Sequence, residues 1–211
     1  HEQHSRFSAF IDALKGAGVT FNIHHCCNSA GTLELPDFHR EMIRPGIIQY
    51  GYDASKEVLV TGTKIKPVMS LRCCITHLKT IYEGDCVGYG RHFTAKGPTK
   101  IATLPIGYAD GYNRALSSKI DVIVHGVRAH QVGNICMDQC MIDVSHIPDV
   151  KVGDEVVLFG EQGSECVSAD EIADTCHTII HEITCNINRR VPRVYVQNGK
   201  IVQRLEYLTQ S

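Results

Sequence analysis

Tyr89 stands between two glycines in CVGYGRHF, and a related phrase returns as LPIGYADGYNR, with Tyr108 after Gly107 and Tyr112 after Gly111. A phenol does acid–base work near neutral pH only where neighbouring cations pull its pKa down from roughly 10. Arg91 and His92 follow Tyr89 and would favour that shift, whereas Asp110 beside Tyr108 opposes it. On local sequence alone both tyrosines read as hydrogen-bonding or packing groups rather than as bases, and Tyr112 as an ordinary loop residue. Met137-Asp138-Gln139 interrupts two strand-like runs; a bulge there could aim a backbone amide into a site, or form a plain turn.

A second group of candidates lies earlier. Asn28-Ser29 follows an apolar run and offers a hydroxyl and backbone N–H groups to an anion, or simply caps a helix. Arg44 precedes Pro45-Gly46-Ile47, and a guanidinium that becomes buried there needs a partner, which His25 could be. His24-His25-Cys26-Cys27, and His177 with His181 one helical turn on, are the metal-like groupings. Neither closes a zinc pattern, because no C-x-x-C occurs and Glu182 follows His181 rather than lying between the histidines. They read as surface or packed histidines, with no metal site.

These residues must be positioned by a chain of 211 residues, long enough for one large or two small domains with their own core. A net charge of −2 with 43% hydrophobic and 21% charged residues gives no broad attraction to nucleic acid or anionic membrane, so small molecules or other subunits are the expected partners. No run of eighteen apolar residues occurs, and HEQHSRF lacks the plan of a signal peptide, so a soluble chain is expected. The ten cysteines lie in apolar runs and read as reduced core thiols of a cytoplasmic protein.

Residues 4–18 place Phe7, Phe10, Ile11 and Leu14 on one helical face. VTFNIHHC and the stretch EMIRPGIIQYG follow as buried strands around a polar turn, the rhythm of a parallel βα array, but only about two units of one. After Tyr52 short strands separated by Gly, Pro, Asn and Asp predict an antiparallel barrel or sandwich. One helix is expected through VSADEIADTCHTIIHEITCNI, with Ser168 and Glu171 as a capping box, and Asn198-Gly199 predicts a type I′ hairpin.

The segments HHCCNSAG, IRPGIIQYG, CVGYGRHF, LPIGYADGYNR, VGNICMDQCMIDVS and RRVPRVY, in that order, resemble the C-terminal half of the alanine racemase family, fold-type III pyridoxal phosphate enzymes. The resemblance covers essentially the whole chain. It implies a mixed α/β + β protein: residues 1–54 as the C-terminal remnant of a (β/α)8 barrel, and residues 55–211 as a mainly antiparallel β-barrel-like domain. It also implies interconversion of L- and D-alanine, for peptidoglycan precursors, by two bases on opposite faces of the α-carbon. Tyr89 matches one base, and the other is a lysine that carries the cofactor.

By the same resemblance Arg44 faces the pyridine nitrogen of pyridoxal 5'-phosphate, with His25 beside it, and Ser29, Gly46 and Ile47 hold the phosphate. Tyr108 and Met137 match substrate-contacting positions, Met137 through its backbone amide. Tyr89 and Met137 of such enzymes reach into the partner subunit's site, which implies a head-to-tail homodimer with shared active sites.

Three departures stand out. Nothing matches the cofactor-bearing lysine, since Lys64 and Lys66 lie in the wrong place, so the chain looks like a C-terminal fragment unable to racemise alone. Arg189 stands where many members carry a tyrosine, which would open the site to serine, as in the membrane-anchored serine racemases of vancomycin resistance, or would add a phosphate ligand. Asn134 replaces an arginine of some members. The rival reading from another class is a non-catalytic binding or dimerisation module, with a metal-binding module on His24 to Cys27 behind it.

Overall fold

The computed structural model describes residues 1–54 and 65–208. The chain divides into His1–Val68 and Met69–Ser211. The boundary expected between residues 54 and 55 adjoins a stretch outside the described residues, 55–64, within which Lys64 lies; Lys66 is exposed.

In the first unit, helix α1 spans Glu2–Gly16, two residues earlier at each end than its apolar face suggested. Arg6 pairs with Glu2 at 2.6 Å one turn back, and the last turn closes onto Ala17 and Gly18. No residue of α1 is buried. It is tied to the segment after the next helix by His4 stacked on Phe38 at 4.1 Å and by Arg40 donating to Ser8 Oγ at 2.6 Å. Helix α2, Ser29–Glu34, starts where Asn28 Oδ1 accepts the Gly31 N–H at 3.0 Å.

The two buried strands expected around α2 do not form. Residues 19–28 carry no ladder, and the second stretch turns into a 3₁₀ helix at Ile47–Tyr50 that ends on Gly51 with φ 79°. One backbone bond joins the stretches, from the Arg44 N–H to the Cys27 carbonyl at 2.9 Å. The reason is that a strand exists only through its neighbours: parallel strands need a partner on each edge to satisfy their N–H and C=O groups. Val19, Phe21 and Ile23, alternate residues on one side of the run, are 45%, 54% and 57% exposed. The period-two pattern is present without the layers that would cover it.

The second unit matches the antiparallel expectation. Its strands are β1 Leu71–Cys74, β2 His77–Ile81, β3 Cys86–Val87, β4 Phe93–Thr94, β5 Thr99–Leu104, β6 Asp121–Val124, β7 Val127–Val132, β8 Cys140–Asp143, β9 Glu155–Gln162, β10 Glu165–Val167, β11 Arg193–Gln197 and β12 Lys200–Leu205. The main sheet runs β1-β9-β6-β7-β8-β5-β2, with β10 on β9. Its two end strands, β1 and β2, are separated in sequence only by Ile75 and Thr76. Ile75 N–H still bonds Asp154 O at 2.9 Å on one edge, and Thr76 N–H bonds Thr103 O at 3.0 Å on the other. The chain leaves one edge and enters the opposite one within two residues, so the sheet must curl into a barrel-like form. Val122, Ile123 and Val124 are consecutive and all buried, as are Val156, Val157, Leu158 and Phe159, so both faces of β6 and β9 are covered.

The single helix expected near residues 167–187 is two: α3, Ala169–Thr175, and α4, Ile180–Asn186. Ser168 Oγ caps α3 by accepting the Glu171 N–H at 3.1 Å, as its sequence indicated. The break falls at His177, which sits at φ 55°, so His177 and His181 do not share a helical turn. The β11–β12 hairpin turns on Asn198 and Gly199, both at positive φ (51° and 73°), as a two-residue I′ loop requires.

Tyr112 lies in a loop between two 3₁₀ helices, as expected, but it is buried there, 2% exposed, its hydroxyl without a hydrogen-bond partner among the described residues. All ten cysteines are free, but only Cys27 and Cys140 are fully buried, while Cys74, Cys166 and Cys185 are exposed. The core-thiol reading therefore holds for part of the set.

Burial pushes the Cys73 thiol up to about 12 and raises the Cys140 thiol and the Tyr112 phenol well above their ordinary values. In the unfolded chain these groups ionise near their ordinary values, with thiols at about 8.5. The unfolded state therefore sheds protons first as pH rises. Their contribution to stability is complete below about pH 8.5 and is lost progressively as pH climbs toward the folded values. Urea denaturation should give a lower midpoint at about pH 10.5 than at about pH 7.5; equal midpoints would refute it.

Candidate active site

Two loops of the second unit are locked together by their backbones. Tyr108 N–H donates to Cys136 O at 3.1 Å and Ala109 N–H to Met137 O at 3.0 Å, while Cys136 N–H closes its own turn onto Gln139 O at 2.8 Å. The approach demands glycine at 107, where a Cβ would stand 2.2 Å from Cys136 O and 2.4 Å from Met137 O. Asp110, 6% exposed, returns one carboxylate oxygen to the Gly107 N–H at 2.8 Å. Its other oxygen meets Arg190 Nε at 2.9 Å, and the same guanidinium reaches Asp138 at 2.5 Å. Arg190 thus fastens the Tyr108 loop to the Met137 loop.

The residue carrying Arg190 is itself anchored. Asn188 N–H donates to Asp110 O at 2.9 Å. Arg193 donates to the carbonyls of Ile187, Asn188 and Val191 just beyond α4, at 2.6, 3.3 and 2.9 Å. Arg189 does not turn the same way: its guanidinium lies over the Tyr207 ring at 5.7 Å.

Tyr89 rides on a tight turn after β3, with Gly88 at φ 72° and Gly90 at φ 78°. Asn134 Nδ2 donates to the Tyr89 carbonyl at 2.8 Å. The turn leaves the Tyr89 side chain 79% exposed. The cations expected to serve the phenol are placed otherwise. The Thr94 hydroxyl, 3.5 Å from the Cys86 thiol, and after it the Arg91 guanidinium hold that thiol below its usual range, and His92 Nε2 lies 2.6 Å from where a Gly90 Cβ would stand.

Together these pieces line one open cavity of about 640 Å³, bounded by Tyr89, Tyr108, Asn134, Met137, Arg114 and Asp138 among others. Three side chains singled out in the second unit, Tyr89, Tyr108 and Met137, therefore share a wall. Arg190 and Asp110 were missed as site residues. Both stand in motifs quoted for the resemblance, but only folding shows that one arginine spans two loops. With Arg190→Ala, activity of the full-length parent should fall while Arg190→Lys recovers only part, because an ammonium cannot present the same fork to two carboxylates. Full recovery by lysine would reduce the role to charge alone.

The first unit holds the remaining candidates. Ser29, 6% exposed, accepts the Gly46 N–H on its Oγ at 2.8 Å, and Ile47 is 3% exposed. Arg44 is exposed, and His25 has a buried Nδ1 with no hydrogen-bond partner among the described residues. A hydroxyl that accepts an amide N–H, an imidazole nitrogen without a partner among the described residues and an exposed guanidinium could serve a phosphorylated aromatic ligand. His24 is engaged elsewhere, with Glu41 at 2.9 Å. No group of three His, Cys, Asp or Glu side chains that could hold a metal occurs among the described residues.

Residues 1–54 match the family model "alanine racemase, N-terminal domain", and residues 68–195 match "alanine racemase, C-terminal domain". An alanine racemase 1 of Clostridium acetobutylicum is 46% identical over 99% of this chain and 54% of its own length. A solved alanine racemase of Clostridium difficile 630, in complex with cycloserine, superposes with a TM-score of 0.91 at 42% identity, over 98% of this chain and 54% of the other. One from Bacillus anthracis with bound L-Ala-P gives 0.92 at 38% identity, over 98% and 53%. The chain spans about half the length of the curated relatives it matches.

Proposed function

The chain belongs to the alanine racemase family, and on that footing we propose that it forms the C-terminal half of a pyridoxal phosphate-dependent racemase that interconverts L- and D-alanine for cell-wall precursors. The observation that carries this reading is the single cavity wall shared by Tyr89, Tyr108 and Met137. The first unit is then the last part of a (β/α)8 barrel, a reading supported by the bare alternate residues Val19, Phe21 and Ile23.

When bound, pyridoxal phosphate acidifies the substrate's α C–H by spreading the resulting charge over its ring. Ser29 Oγ with the Gly46 and Ile47 amides would hold the phosphate, and Arg44, with His25 beside it, would face the ring nitrogen. A guanidinium cannot give up a proton there, which limits the sink and favours return of the proton over side reactions. The Met137 amide would receive the substrate carboxylate, and Tyr108 would hydrogen-bond close by. Tyr89 Oη would take or return the α-proton on one face, opposite a lysine that this sequence lacks.

By the family resemblance, in which Tyr89 and Met137 reach into the partner subunit's site, the chain is proposed to act in a head-to-tail homodimer that shares its sites between subunits. Without that lysine the 211 residues should not racemise alone. Ten unpaired cysteines suit a cytoplasmic setting, and no helix among the described residues is long and apolar enough to cross a membrane.

A racemisation assay of the full-length parent with alanine and with serine tests the substrate. Alanine should turn over faster. Arg189 is the feature that favours serine, since it removes a phenol from the side-chain end of the site, and faster serine turnover would replace the alanine assignment.

A further inference from the structure

The turn that carries Tyr89 is poorly held from within. Of residues 88–91, Gly88, Gly90 and Arg91 sit at positive φ (72°, 78° and 53°), and the Arg91 N–H reaches the Gly88 carbonyl only at 3.3 Å. Glycines on both sides of Tyr89 give the backbone neighbouring conformations of similar energy, so an outside contact must select one. Residues 133–135 supply it. A Cβ at Gly133 would stand 2.8 Å from Val87 O, and one at Gly88 3.5 Å from Asn134 N and O, so the two backbones lie against each other. Residues 133–135 are themselves pinned, with the Gly133 N–H donating to Ser118 Oγ and the Ile135 N–H to Ser117 Oγ, each at 3.0 Å. Buried Gln131 accepts the Ser118 N–H at 2.6 Å and donates to the Val132 and Gly133 carbonyls at 3.1 and 3.0 Å. Between two pinned neighbours, Asn134 sends its side-chain amide to the Tyr89 carbonyl at 2.8 Å. All of these residues belong to the second unit.

We propose that Asn134 is a positioning residue for Tyr89, setting through the Tyr89 carbonyl where the phenol meets the substrate's α-carbon. The proposal rests on the reading of Tyr89 as one of two bases. Asn134 and Tyr89 line the same cavity, but the amide is engaged by the carbonyl, so its effect on the chemistry passes through the tyrosine. Proton transfer needs the phenolic oxygen within hydrogen-bond reach of the α-proton, and a misplacement of about 1 Å costs about 10²-fold in rate. For a base that acts on one face only, the consequence is one-sided: exchange on the Tyr89 face slows, and exchange on the lysine's face does not. Damage to the wall formed by Tyr108 and Met137 would instead slow both faces alike, because that wall holds the substrate whichever way its proton leaves.

The test is α-hydrogen exchange of L-alanine and of D-alanine in deuterium oxide, followed by NMR, on the full-length parent loaded with pyridoxal phosphate. The variants are Asn134→Ala and Asn134→Leu, the second keeping the volume while losing the donor. Tyr89→Phe, run alongside, identifies the enantiomer whose exchange depends on the tyrosine. In both Asn134 variants that enantiomer should exchange about 10- to 10²-fold more slowly, and the other at the parent's rate. Racemisation should lose kcat more than KM. Exchange of both enantiomers at the parent's rate, or equal slowing of both, overturns the proposal. If Tyr89→Phe itself leaves both enantiomers exchanging, the two-base reading falls and the proposal with it. If Tyr89→Phe is one-sided and the Asn134 variants are not, the proposal alone falls.

Discussion

Tyr89→Phe should lower alanine racemisation by the full-length parent by about 10² to 10⁴-fold, the range that one positioned acid–base group contributes. The phenol is 79% exposed, and its turn is held by backbone features: the positive φ of Gly88 and Gly90, and the Asn134 bond to the Tyr89 carbonyl. Removing one hydroxyl leaves all of these in place, so the variant should melt with the parent. The loss should fall on kcat more than on KM, because the Met137 amide and the cofactor cradle are untouched. A loss of activity accompanied by a lower melting temperature would instead mean that the turn had been disturbed.

Gly107→Ala should damage stability and activity together. A methyl at 107 would meet two carbonyl oxygens at 2.2 and 2.4 Å, both backbone atoms that no rotamer change can move aside. Relief requires the Tyr108 loop to separate from the Met137 loop, which breaks the Tyr108–Cys136 and Ala109–Met137 bonds and draws Asp110 away from Arg190. Overpacking of this kind costs about 1 to 3 kcal/mol, and the cavity wall is lost with it. Gly97→Ala is the matched control, since nothing lies within 4 Å of a Cβ there. Chemical denaturation of both variants, together with an activity assay of the parent, checks the prediction, and equal effects at 107 and 97 would refute it.

How far the sequence could be read depended on the range of the interactions involved. Asn198-Gly199 and Ser168 announced a hairpin and a helix start, because each acts through a backbone a few residues away. The antiparallel strands of the second unit were legible for a similar reason, with Gly, Asn and Asp turns set between alternating runs. The failures needed information from elsewhere. VTFNIHHC has the composition of a strand, but a ladder is a property of two chains of atoms, and only the Arg44–Cys27 bond is made. The helix break at His177 rests on a positive φ at a residue type that seldom marks one.

Of the candidate site, Tyr89, Tyr108 and Met137 were named from motifs, and their chemistry could not be ranked from local residues. The cations beside Tyr89 suggested an activated phenol, yet Arg91 acts on the Cys86 thiol, helping to hold it below its usual range after the larger effect of Thr94. Tyr112 carries the same Gly-Tyr phrase as Tyr108 but points into the core. Arg190 was invisible as a clamp, because its two carboxylates come from positions 110 and 138, far from it in sequence.

The central claim is that Tyr89 is a base on one face only of the substrate's α-carbon. It is tested most directly by incubating the Tyr89→Phe full-length parent in deuterium oxide with L-alanine and, separately, with D-alanine, and following α-hydrogen exchange by NMR. If the claim holds, one enantiomer exchanges its α-hydrogen through the remaining base, the other does not, and almost no inversion occurs. Exchange of both enantiomers at the parent's rate, with racemisation intact, would contradict it.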